Sequence, residues 1–200
     1  MLIFVLDTSS VADLGLRRHL GASSLEDAVS ALADLLRKVT LRHEARFYVT
    51  PVMMDELRSF LLNNGVSEEV VNRFTAWLVI KSPSLHDVKI PAAVMATYVE
   101  EVQKRMTKGL KVAEEIVKRA ARNEAGLGQL IRMLREKYRE ATRHGIIDST
   151  ADFGAAILSL EVNGIMVTSD EGIRRLCNML GVMVVSAEHF ADMLQEYASV

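Results

Sequence analysis

Residues Leu2 to Leu6 form an unbroken apolar run that stops at Asp7-Thr8-Ser9. A strand with one wet face alternates apolar and polar residues, whereas a continuous apolar run has to be buried on both faces. That condition is met in the middle of a parallel sheet with helices on either side. The first residues of the chain therefore already call for two helical layers. A second short run, Ile165 to Thr168, ends at Asp170 and Glu171. Open α/β sheets hold their ligands beyond the carboxyl ends of the strands, and both runs deliver carboxylates there.

The intervening sequence supplies the layers. Arg17 to Ser24 reads as a loop after a short turn that Thr8 or Ser9 caps. Ser24 starts a helix whose stripe is Ala28, Leu32, Leu35, Leu36 and Val39, at spacings of three and four. Arg46–Val49 is a second strand, and Thr50-Pro51 places proline at the first position of the next helix. Glu56 falls in the second turn of that helix, and Asn63-Asn64-Gly65 stops it. Ser67-Glu68-Glu69 opens another helix, and 77–81 reads as an edge strand. From Pro91 to about Ala121 one long apolar stripe runs through Val94, Tyr98, Val102, Met106, Leu110, Ala113, Val117 and Ala120, with Gly109 as a weak point. After a reversal at 123–128, a second stripe follows with Leu127, Ile131, Leu134, Tyr138 and Ala141. Residues 90–144 thus predict a helical hairpin inserted into one α/β domain of 200 residues. The first helix is about 45 Å long at ~1.5 Å per residue, too long to lie on a small sheet, so the hairpin is expected to project. A helix from about Ile147, a strand at 165–168, a short helix, a strand at 182–185 and a last helix capped by Ser186 complete a β/α alternation. The fold class expected is a three-layer α/β/α domain with a parallel central sheet.

Half of the residues are hydrophobic, enough for a real core. One cysteine, Cys177, rules out an intrachain disulfide and a zinc-finger pattern. No apolar run approaches the ~20 residues of a membrane span, and no signal sequence opens the chain, so a cytoplasmic protein without membrane contact is expected. The formal net charge of −2 conceals a division: residues 103–144 carry twelve Lys/Arg against five Glu, and the remainder twelve against twenty-one acids. A basic element on an acidic body draws polyanions to one part and metal ions to the other.

The acids form a constellation. Asp7, Asp148, Asp152 and Asp170 all fall at one end of the predicted sheet. Asp148 and Asp152, four apart, are expected on one helix face. Such carboxylates repel one another unless a cation intervenes, and hard oxygen ligands suit Mg²⁺ or Mn²⁺ rather than zinc. Asp7, Asp148, Asp152 and Asp170 are the expected catalytic and metal-binding residues, with Glu56 an open fifth ligand. The hydroxyls of Thr8, Ser9, Ser149, Thr168 and Ser169 are candidate hydrogen-bond partners of these acids. Glu171 reads as a helix-start acid.

These residues resemble a family. The motifs VLDTS, a Glu in the helix after the second strand, DFGAAILSL opening at Asp152, and VTSD ending at Asp170 look like a PIN-domain nuclease. That likeness places Asp7, Glu56, Asp152 and Asp170 on the family's acidic quartet, with Asp148 an additional acid. The hairpin sequence TYVEEVQKRMTKGLKVAEEIVKRA, followed by REATRHGIIDSTADFGAAILSLEVNGIMVTSDEG, resembles the HARP group of protein-only RNase P enzymes, relatives of the RNA ligase partner proteins. The resemblance spans Phe4 to Phe190. It implies metal-dependent removal of the 5′ leader of precursor tRNA, leaving a 5′-phosphate, and a homo-oligomer built through the hairpins, commonly a dodecamer.

For RNA, the hairpin offers Lys104, Arg105, Lys108, Lys111, Lys118, Arg119, Arg122, Arg132, Arg135, Arg139 and Arg143. Interleaved Glu114, Glu115 and Glu136 fit a plain solvated face at some of these positions. With only Tyr98 and Tyr138 as aromatics, recognition of the backbone of a folded RNA is expected over base stacking. Two other readings stay open: a toxin-type PIN ribonuclease cutting RNA internally, and a non-catalytic RNA-binding partner of an RNA ligase.

Overall fold

In the computed structural model, which describes residues 1–142 and 149–199, β1 (Leu2–Leu6) is flanked on both sides by parallel strands. It is followed by α1 (Thr8–Ala12), α2 (Leu14–His19) and α3 (Leu25–Leu41), then β2 (Ala45–Val49), α4 (Pro51–Asn63), α5 (Glu68–Thr75) and β3 (Leu78–Ile80). The helices α6 (Ala92–Ala121) and α7 (Leu127–Thr142) come next. The chain closes with α8 (Thr150–Glu161), β4 (Ile165–Val167), α9 (Glu171–Leu180), β5 (Val184–Val185) and α10 (Ala187–Ser199). The sheet order is β3-β2-β1-β4-β5, all parallel, with Leu2 beside Ala45 and Leu6 beside Val167.

This order explains the composition of β1. Phe4, Val5 and Leu6 are buried because helices cover both sheet faces: α8 packs on β1 and β4, while α3 packs on β2, α5 and α10. Phe4 stacks on Phe47 at 5.7 Å between ring centroids, and Phe190 of α10 meets both rings edge-on. Aromatic pairs of this geometry add about 0.5–1.5 kcal/mol beyond area burial. Such contacts tie the last helix to the first two strands.

Local chemistry sets the helix starts. Ser24 and Asp27 form a reciprocal capping box on α3, with bonds of 3.0 and 3.1 Å. Thr50 caps α4 ahead of Pro51, and Ser186 caps α10 by accepting from the His189 amide. Two sequence expectations are corrected. Thr8 and Ser9 lie inside α1, and the N-cap position belongs to Asp7. Arg17 to His19 are helical rather than loop, because Asp13 caps a six-residue helix too short to show an apolar period.

The chain divides into two units, Met1–Ile90 with Ser149–Val200, and Pro91–Asp148. In the second, α6 runs unbroken through Gly109, since the Tyr138 ring packs where a side chain would stand: a Cβ there would meet it at 2.5 Å. The seam between α6 and α7 follows Gly109, Ile116 and Leu130, which are buried. Met106, Leu110 and Val117, expected on one continuous inner stripe, are instead 67, 61 and 67% exposed. α7 starts at Leu127, so the reversal is shorter than the 123–128 expected. Among the described residues no helix is long and apolar enough to cross a membrane.

Candidate active site

The strand order runs outward from β1 to β3 in one direction and resumes at β4 on the other side, so the topology switches between β1 and β4. Such a switch point opens a crevice at the carboxyl ends of the two strands. Asp7 stands at the end of β1 and Asp170 three residues past β4. The Asp7 amide donates to the Val167 carbonyl at 3.1 Å, continuing the ladder into the crevice.

Asp7 is 7% exposed, and its side chain makes no capping bond to the amides of the helix it precedes. Ser10 closes the turn instead, its hydroxyl donating to the Asp7 carbonyl at 2.6 Å. The Asp7 carboxylate is held through one oxygen. Oδ2 accepts from the Thr168 hydroxyl at 2.8 Å and from the Ser9 hydroxyl, whereas no described residue donates to Oδ1. Thr168, fully buried, also accepts from the Asp170 amide at 3.0 Å, so one hydroxyl orients two of the acids. The Asp170 carboxylate caps α9, its Oδ1 accepting from the Ile173 amide at 2.9 Å. Ser149 caps α8 by accepting from the Asp152 amide at 3.1 Å, which places Asp152 in the first turn of that helix. The Thr8 hydroxyl is buried and takes no hydrogen-bond partner among the described residues. Glu171 pairs with Arg174 and Arg175, at 3.7 and 3.4 Å. Asp148, and with it the expectation that it shares a helix face with Asp152, lies outside the described residues, as does Arg143.

Glu56, on α4, is drawn into the same field. Partial desolvation, then the charges of Asp152 and Asp7, hold its carboxyl above the usual carboxylate range. No described cation pairs with it. Among the described residues no three Asp, Glu, His or Cys side chains converge closely enough to enclose a metal ion. The donor set nonetheless has the chemistry of a hard cation's ligands. It is all oxygen, it gathers like charges close enough to act on Glu56, and it includes a buried aspartate with one carboxylate oxygen to which no described residue donates. These features fit Mg²⁺ or Mn²⁺.

Two residues here escaped the sequence reading. Asp13 caps α2 with one oxygen and accepts from the Ser169 hydroxyl with the other, at 2.5 Å. The only sequence cue was Asp13 two residues before Gly15, a weak capping signature. Arg174 donates to the Thr168 carbonyl at 3.4 Å and so brings a guanidinium to the β4 end. Cys177 is buried, and desolvation pushes its thiol up to about 12, as an inert core residue requires.

In the second unit the basic residues divide. Lys104, Arg119 and Arg122 pair with Glu100, Glu115 and Glu124, and Lys137 with Glu115. Lys108, Lys111, Lys118, Arg132, Arg135 and Arg139 are exposed and make no ion pair among the described residues. Arg105 is half-buried. On α6, Lys104, Lys108, Lys111 and Lys118 repeat at intervals of three, four and seven, which at about 100° per residue is one face. Met106, Leu110 and Val117 occupy a different face, centred about 135° away by the same spacing.

Comparison with known proteins identifies the family. Residues 3–199 match the family described as PINc domain ribonuclease. A protein of Hyperthermus butylicus described as RNA-free ribonuclease P is 43% identical, over 96% of this chain and 87% of its own length. One from Ignicoccus hospitalis with the same description is 42% identical, over 98% of this chain and 96% of its own. Among solved structures, a PilT N-terminus domain protein from Sulfolobus solfataricus P2 is similar at a TM-score of 0.40 and 11% identity, covering 98% of this chain and 95% of that one. That last likeness is too low to add to the fold argument. The family match and the near-complete coverage by the two relatives stand without it: this chain belongs to the PIN-domain nucleases and, among them, to the group of RNA-free ribonuclease P proteins.

Proposed function

We propose that the chain is a metal-dependent endoribonuclease that removes the 5′ leader of precursor tRNA and leaves a 5′-phosphate on the mature end. The observation that carries this reading is the Asp7 carboxylate. It is pinned through Oδ2 by Thr168 and Ser9 at the switch point, no described residue donates to Oδ1, and nearby Glu56 has its carboxyl pushed up by desolvation and then by the charges of Asp152 and Asp7. The descriptions of the two archaeal relatives support the choice of substrate.

Asp7, Asp152 and Asp170 would hold Mg²⁺ or Mn²⁺, together with Asp148 and Glu56. When bound, such an ion favours ionisation of water and offsets charge on the phosphate. The chain's own residues do the rest. Thr168 and Ser9 fix the orientation of Asp7, so its Oδ1 would hold such an ion with little loss of rotamer freedom. Ser149 fixes the backbone of Asp152, and Thr168 fixes that of Asp170. Arg174, anchored on the Thr168 carbonyl, offers a cation for a neighbouring phosphate. The lysines and arginines of α6 and α7 that make no ion pair among the described residues, Lys108, Lys111, Lys118, Arg132, Arg135 and Arg139, supply the backbone contacts that dominate RNA affinity. The exposed Met106, Leu110 and Val117 lie on a separate face, where a second copy of the hairpin would cover them. The exposure of this apolar stripe supports a homo-oligomer assembled through 90–144 of a single nuclease domain, up to a dodecamer, working in the cytoplasm.

Incubation with a precursor tRNA carrying a labelled leader tests the reading. One cut at the leader junction is expected in Mg²⁺ or Mn²⁺, none in EDTA, and none with Asp7→Asn or Asp152→Asn, while both variants still bind the RNA. Cuts at internal sites would turn the reading to a toxin-type nuclease. Binding with no turnover would turn it to a non-catalytic partner.

A further inference from the structure

We propose that Asp13 is a positioning residue of the acidic centre, acting through Ser169 and Ser9 on the carboxylate of Asp7. The inference rests on the nuclease reading above for what that carboxylate does.

A helix cap needs one carboxylate oxygen, and Asp13 uses Oδ1 for it, accepting from the amides of Gly15 at 2.6 Å and Leu16 at 3.2 Å. These bonds fix the carboxylate to α2, which is itself packed on α3 and α10. Gly15 is part of the fit: a Cβ there would stand 2.8 Å from Asp13 Oδ1 and 2.0 Å from Glu188 Oε1. The second oxygen has no capping role. It accepts from the Ser169 hydroxyl at 2.5 Å, across 156 positions of sequence. With both oxygens committed, Asp13 is a fixed point of the helical layer rather than a spare ligand.

The line continues from Ser169. Its amide donates to the Ser9 hydroxyl at 3.1 Å, and that hydroxyl donates its own proton to Asp7 Oδ2. A hydroxyl has a single proton. Occupying the acceptor side of Ser9 with the Ser169 amide therefore directs that proton to Asp7. The result is one chain of hydrogen bonds, from α2 through the β4–α9 connection to the β1–α1 junction, ending on the carboxylate of Asp7. Ser169 is exposed, and apart from this hydroxyl bond it is held, among the described residues, by its amide alone. Without Asp13 the connection that carries Thr168 and Asp170 loses its tie to α2 and keeps only the amide bond of Ser169 to Ser9.

The test uses Asp13→Ser, Ser169→Ala, the double variant and Ser169→Thr. Serine at position 13 still caps α2 but is too short to reach Ser169. Each of the first two should melt within a few degrees of wild type. Loss of a charge-assisted bond predicts a fall in kcat of roughly five- to twentyfold with the KM for precursor tRNA unchanged. Mn²⁺ titrated into RNA-free protein and followed by electron paramagnetic resonance should bind several-fold more weakly. The double variant should be no worse than the weaker single one, and Ser169→Thr should match wild type. Wild-type kcat and Mn²⁺ affinity in Ser169→Ala, or additive losses in the double variant, overturn the inference alone. A wild-type protein that neither binds Mn²⁺ nor cleaves RNA overturns the nuclease reading and the inference with it. If Asp13→Ser does not fold, the contrast between Ser169→Ala and Ser169→Thr decides.

Discussion

Thr168→Val removes one hydroxyl and replaces it with a methyl of nearly the same size. Thr168 is 0% exposed, so no water replaces the lost group. Two bonds go with it: the 2.8 Å donation to Asp7 Oδ2 and the 3.0 Å acceptance from the Asp170 amide. The first serves an ionised partner, a class worth about 1.5–3 kcal/mol, and the second is worth about 1 kcal/mol. Asp7 keeps the Ser9 hydroxyl, which offsets part of the loss. The expected destabilisation is therefore about 2–3 kcal/mol, a fall in Tm of roughly 4–12 °C for a chain of this length. Thr168→Ser is the control, since it keeps both bonds and gives up only a methyl, at about 1 kcal/mol. Urea denaturation of the three proteins, fitted with a common slope, ranks them, and leader cleavage should fall at least tenfold in the valine variant. A valine variant as stable as the serine variant would show that packing, not the bridging hydroxyl, holds the two loops together.

Further outcomes follow from the same geometry. Glu56 has a raised folded pKa, so the folded state binds its proton more tightly than the unfolded chain does. Its contribution is present below about 4.5 and is lost as pH rises through the folded value. Glu56→Gln should accordingly stabilise the protein in EDTA at neutral pH, by less than about 1 kcal/mol given solvent screening, and flatten the melting temperature between pH 4 and 7 while lowering cleavage. Gly109→Ala should stabilise α6 by about 1 kcal/mol only in a Tyr138→Ala background, because in wild type the new Cβ meets the Tyr138 ring at 2.5 Å. Equal effects in both backgrounds, read by urea denaturation, would contradict the packing described. Replacing Lys108, Lys111 and Lys118 together by alanine should weaken precursor tRNA binding and reduce the slope of log K against log salt by about 2–3, at ~0.7–0.9 per phosphate contact. An unchanged slope would remove these lysines from the RNA face.

How much of this was legible in the chain varies by element. The run at 2–6, the pair Ser24 and Asp27, and the junction Thr50-Pro51 state local rules that nothing in the tertiary structure opposes. Their elements form where the sequence puts them. The position of Asp7 and Asp170 at one sheet end also follows from β/α alternation, since every parallel strand delivers its carboxyl end to the same side. α2 was missed because six residues cannot display a helical period, and its cap was the only cue.

Periodicity fails in a different way on α6. The sequence shows that apolar residues recur every three or four positions, but it does not say which of two adjacent stripes meets a neighbour. Close approach of Tyr138 to Gly109, and burial of Ile116 and Leu130, select the seam and leave Met106, Leu110 and Val117 exposed. The candidate site divides along the same line. Residue type and strand ends point to Asp7 and Asp170 as candidates, because charge and topology are local or periodic properties. Which hydroxyl holds which carboxylate depends on contacts between positions about 160 apart, as in Thr168 with Asp7 and Ser169 with Asp13. Such pairs carry no spacing rule. They exist only once the β1 and β4 ends lie side by side, and that adjacency is a property of the folded sheet.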